Sequence, residues 1–84
     1  MQASYNFEVI RDKAIGALRN AFQNSSISVD EGWHGRVHIK IVSPEFDGLT
    51  EPQRQDAVWS VLKEGLGEEA TGIALVLPFG MDEL

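Results

Sequence analysis

The residues best equipped for chemistry sit between positions 31 and 40. Glu31-Gly32-Trp33-His34-Gly35 is a glycine-punctuated turn, and Arg36-Val37-His38-Ile39-Lys40-Ile41 follows it. His34 can donate an imidazole to a metal or contact a partner. An exposed loop histidine is the plainer reading of that position. Arg36, His38 and Lys40 alternate with Val37, Ile39 and Ile41, which puts three nitrogenous side chains on one face of a strand. They form a candidate anion stripe, for nucleic acid or for a protein, although the wet face of a strand is the simpler reading. Trp33 lies between two glycines, where it either anchors a partner or packs on the core edge. Trp59 sits on the shoulder of a helical stripe and reads as core-edge packing. Glu64, Glu68 and Glu69 gather in a glycine-rich turn, so they are solvated acids and not an acid–base pair.

Other chemistries are excluded. The 84 residues contain no cysteine, which removes disulfides, thiolate metal sites and thiol nucleophiles. There is no phosphate loop, no serine triad with its turn chemistry, and no helical His-x-x-x-His. Gly32-Trp33-His34-Gly35 has the spacing of an RNA-clamping Gly-x-x-Gly, but it joins two strands and not two helices. The net charge of −6 disfavours a general nucleic-acid or anionic-lipid binder. Its distribution is uneven, with an acidic excess of seven from residue 45 onward and one excess base before it. The acidic half should attract a basic partner. No stretch approaches the about 20 apolar residues of a membrane span. Met1 to Glu8 lacks the pattern of a signal peptide, and an intracellular, cytoplasmic home is expected.

These residues need a scaffold, and 84 residues supply one domain with one small core. Phe7, Ile10, Ala14, Leu18 and Ala21 recur at helical spacing, predicting a helix over 6–22 that Asn24-Ser25-Ser26 stops. Ile27 to Asp30 and Arg36 to Ile41 alternate as strands and pair as a hairpin. Thr50 and Gln53 form a capping box for a second helix, whose apolar stripe is Ala57, Val58, Val61 and Leu62 and which Gly65 and Gly67 end. Ile73 to Leu77 is apolar throughout, as in a strand that is central or covered on both faces. The order α-β-β-α-β predicts an α+β, two-layer domain: a three-stranded mixed sheet with both helices on one face. On the opposite face, strict alternation places Ser28, Asp30, Arg36, His38, Lys40, Ala74 and Val76.

With these elements in place, the sequence resembles the BolA-like family from about Ile27 to Leu84. The best-matching runs are Val42-Ser43-Pro44-Glu45-Phe46-Asp47-Gly48-Leu49 and Arg54-Gln55-Asp56-Ala57-Val58-Trp59-Ser60-Val61-Leu62. They fit a strand end, a Phe-x-Gly, a polar helix start and a Val-Tyr-x-x-Leu. Pro78 to Leu84 is similar to the family's closing segment. The resemblance implies a KH-related domain and a non-enzymatic adaptor beside monothiol glutaredoxins, in iron–sulfur trafficking or redox and stress regulation. It further implies a 2Fe–2S cluster shared with the glutaredoxin, held by a histidine at the start of the last strand and a loop ligand. Thr71-Gly72-Ile73-Ala74-Leu75 falls at that strand start, and Gly72 stands where the family has its histidine. His34 is the loop residue of the right type. The expected role is therefore protein binding through Trp33, His34, Arg36, His38, Lys40, Ala74 and Val76, without the usual cluster ligand. A KH-related nucleic-acid module using Arg36, His38 and Lys40 is the first alternative. A homo-oligomer pairing through Ala74 and Val76 is the second.

Overall fold

The computed structural model describes residues 6–83. The leader reading at residues 1–5 and the closing role of residue 84 lie outside them. The described chain follows the expected order: α1 (Phe7–Ala21), β1 (Ser26–Glu31), β2 (Val37–Val42), α2 (Glu51–Leu66) and β3 (Ile73–Phe79). The sheet runs β1-β2-β3, antiparallel between β1 and β2 and parallel between β2 and β3. Val37, Ile39 and Ile41 of the central strand are buried under Ile10, Ala14 and Leu18 of α1 and Val58 and Leu62 of α2. Both helices therefore cover one face of an α+β sheet.

Helix α1 begins where the Asn6 side chain accepts the Val9 amide at 3.2 Å. It ends one residue early. Phe22 leaves the helix with φ −124° and swings its ring onto buried Phe46, 5.2 Å between centroids. Ala21, expected on the buried stripe, is exposed, because Phe22 closes the core at that end. The Ser25 hydroxyl then caps the Phe22 carbonyl at 2.6 Å.

Helix α2 starts on the expected box. Thr50 Oγ1 accepts the Gln53 amide at 3.3 Å, and Gln53 Oε1 accepts the Thr50 amide at 2.9 Å. Its deepest row is Arg54, Val58, Leu62 and Leu66, while Ala57 and Val61 are half-buried. Gly65 does not stop it. A β-carbon there would stand 2.9 Å from the Ala17 β-carbon, so Gly65 is where the two helices approach closely. The stop is Gly67 at φ 61°, a backbone conformation that favours glycine.

Strand β3 departs from expectation twice. It lies at the edge of the sheet and not at its centre, and only one of its faces is covered. It also carries a bulge. Val37 pairs with Ile73 but His38 pairs with Leu75, so Ala74 is the extra residue. One inserted residue reverses the side-chain alternation beyond it. Val76 consequently turns into the core, 3% exposed, and cannot belong to an open-face pairing surface. Leu75 and Leu77 face out instead, beside His38 and Lys40. Ala74 remains exposed, at the bulge itself.

Candidate functional site

The loop between β1 and β2 is held by its backbone. The Gly32 amide donates to the Arg36 carbonyl at 2.7 Å, and the Arg36 amide to the Trp33 carbonyl at 3.0 Å. Closing this tight turn takes two successive left-handed residues, His34 at φ 57° and Gly35 at φ 76°. Histidine tolerates that region better than bulky or branched residues do. The same geometry pushes Trp33 outward until it is 84% exposed, which rules out core-edge packing. Its indole leans on the His34 ring, 6.2 Å between centroids. Glu31, Gly32, Trp33, His34 and His38 together line an open depression of about 520 Å³.

Of the three side chains of the expected stripe, each does something different. Arg36 precedes β2, is half-buried, and donates from Nη2 to the Thr71 carbonyl at 3.2 Å, next to Gly72. His38 does lie on the open face, with its ring against Gly32. Lys40 is exposed and holds its ammonium 5.5 Å from the centre of the Phe79 ring. The stripe is thus broken at Arg36, which ties the hairpin loop to the start of β3. His34 and His38 share the depression. Among the described residues, no group of three His, Asp or Glu side chains is placed to hold a metal ion.

Outside the loop, Trp59 packs on the core edge as expected, with its indole N–H donating to Gln55 Oε1 at 3.1 Å. Glu69 pairs with Lys13 of α1, while Glu64 and Glu68 are exposed, which agrees with the solvated reading of these acids.

The sequence reading missed a latch at the other end. Arg54 is 7% exposed; it donates to the Leu49 carbonyl at 3.1 Å and pairs with Glu83. Glu83 also accepts the Gly80 amide at 2.7 Å. The hydrogen bond from the Gly80 N–H, and then Arg54, hold the Glu83 carboxyl below its ordinary range. Asp47 accepts the Asp82 amide at 3.2 Å. Desolvation by neighbouring atoms first, and then the Asp47 carboxylate, push the Asp82 carboxyl upward. A signal existed: Arg54 shares the four-residue spacing of Val58, Leu62 and Leu66, and a cation on a buried row needs an acid.

No protein-family model matches the chain, and no curated protein matches it. Solved structures do. The BolA domain of SufE1 from Arabidopsis thaliana is 18% identical and superposes with a TM-score of 0.67, over 99% of this chain and 100% of that one. BolA1 from Arabidopsis thaliana is 19% identical with a TM-score of 0.58, over 92% of this chain and 90% of that one. The described chain therefore has the fold of the BolA domains. Within that fold, this chain is a version with an exposed tryptophan on the β1–β2 loop and Gly72 ahead of the last strand.

Proposed function

We propose that this chain is a non-enzymatic BolA-like adaptor that binds a protein partner, a monothiol glutaredoxin being the first candidate, through the β1–β2 loop. The observation that carries the reading is the fold match over nearly the whole chain. Trp33, 84% exposed on a turn fixed by two backbone hydrogen bonds, supports the choice of surface. A rigid, exposed aromatic binds at low entropic cost and resembles the anchors of known interfaces. His34 and His38 flank it in the same depression.

The donor set does not fit a shared 2Fe–2S cluster. Gly72 has no donor atom, and the Arg36 guanidinium is bonded to the Thr71 carbonyl beside it. His34 and His38 both line the depression, but both belong to the β1–β2 hairpin and neither replaces a donor at the start of β3. This lack of fit supports partner binding without iron. Titrating a monothiol glutaredoxin into the isotope-labelled chain tests it. Amide shifts at residues 31–38, lost in Trp33→Ala, are expected. No shift at millimolar partner overturns the glutaredoxin assignment, and visible cluster absorption in the co-expressed pair overturns the cluster-free one.

A further inference from the structure

The two edges of the sheet are treated differently. At β3, the Val76 carbonyl points away from β2 and is already taken by the Gln55 side-chain amide at 2.9 Å. Two residues on, Pro78 has no N–H to offer. The β3 edge is closed by both devices.

At β1 neither device is present. Gly32 donates inward to Arg36, and backbone direction alternates along a strand, so Ser28 and Asp30 also bond toward β2. The N–H and C=O groups of Ile27, Val29 and Glu31 therefore point outward. Among the described residues, nothing is bonded to them. The edge carries no proline, lysine or bulge, and Ile27 and Val29 are only half-buried. Such an edge accepts an extended strand.

Charge chooses among extended strands. Asp30 and Glu31 close the end of β1 and have no ion-pair partner among the described residues, and Trp33 stands exposed just beyond them. A second copy would bring another chain of net charge −6. A basic segment meets carboxylates and an indole face that both attract a cation.

We propose that the outer edge of β1 binds an extended segment of a partner protein, antiparallel to β1, with apolar residues opposite Ile27 and Val29 and an Arg or Lys opposite Glu31. This deepens the adaptor reading by naming the form of the partner, and it rests on that reading. The hexapeptide Arg-Thr-Val-Thr-Val-Ser, capped at both ends, is a direct probe. Titrated into labelled protein, it shifts the amides of Ile27, Val29 and Glu31. A Glu-first peptide binds about tenfold more weakly. Val29→Pro deletes one outward N–H without touching a β1–β2 bond, and it weakens binding by about the same factor. Glu31→Lys, which leaves the backbone alone, reverses the preference toward the Glu-first peptide.

Absence of shifts at millimolar peptide overturns the inference. So do shifts confined to Leu75 and Leu77, or equal affinity for both peptides. Shifts at the same amides that depend on protein concentration without peptide give the edge to a second copy, and overturn it as well. A full-length glutaredoxin titration in parallel separates the two readings. If glutaredoxin moves the 31–38 loop while the peptide does nothing, only the edge inference falls.

Discussion

The His38 imidazole lies so close to Gly32 that a β-carbon on residue 32 would stand 2.7 Å from Nε2. The ring is thereby seated over the base of the β1–β2 loop, and it forms one wall of the depression that also holds Trp33 and His34. Gly32→Ala should eject the ring. Because Nε2 is at the far end of a side chain that can turn outward, the stability cost should stay below about 1 kcal/mol. The His38 ring resonances should move strongly while the amides of α1 and α2 do not. Unchanged His38 resonances would show that the ring does not rest there.

The bulge at Ala74 makes a clean prediction about β3. Val76→Ala removes buried methyl groups and should cost about 1–3 kcal/mol, and Val76→Asp should abolish folding. Ala74→Asp and Leu77→Ala, at exposed positions, should change the urea midpoint little. A regular strand would make Ala74 and Val76 equally tolerant, so chemical denaturation of the Asp pair tells the two registers apart.

Arg54 and Glu83 fasten the end of the described chain to the start of α2. Arg54→Ala loses the bond to the Leu49 carbonyl, the ion pair and the packing of a nearly buried side chain, for about 2–4 kcal/mol in equilibrium unfolding. Glu83 has its carboxyl held below the ordinary value, so its contribution is present above the unfolded-state pKa, about 4.3, and is lost as pH falls through the lower folded value. Glu83→Gln should therefore lower the melting temperature at neutral pH and flatten its fall in acid.

Asp82 has the opposite sign. Its carboxyl is raised by desolvation and by Asp47, so the charged form weakens the fold at neutral pH. Asp82→Asn removes that charge and puts an amide near the Asp47 carboxylate. The melting temperature should rise at neutral pH and the gain should vanish in acid, where Asp82 is protonated in the wild type. A lower melting temperature at neutral pH would show that the carboxylate is stabilising after all.

Trp33→Ala should leave stability within about 0.5 kcal/mol, since the side chain is 84% exposed, while weakening partner binding by more than tenfold. Calorimetric melting and the glutaredoxin titration read the two effects separately. A large loss of stability would make Trp33 a structural residue.

Local spacing and capping carry their own physics, and these parts were legible. Ile10, Ala14 and Leu18 recur every fourth residue, the Thr50–Gln53 box needs only four residues to form, and Val37, Ile39 and Ile41 alternate without interruption. The element order, the mixed sheet and the one-sided helix layer followed from them. The β1–β2 loop was legible as a tight turn because glycines bracket its aromatic and its histidine; that the turn would push Trp33 fully into solvent was not.

What the sequence could not determine depends on which residues meet across space. An apolar run reads the same in an edge strand as in a central one, so only the assembled sheet puts β3 at the rim with Leu75 and Leu77 in solvent. The extra residue at Ala74 leaves no local mark; it exists only relative to the pairing with β2, and it alone moves Val76 into the core. Arg54 found its acid 29 residues away, and Arg36 its carbonyl 35 residues away, at ranges where no periodicity reaches. The amino-acid order set the elements because their hydrogen bonds and caps are local. Tertiary structure chose the faces, because register and partner are properties of two segments at once.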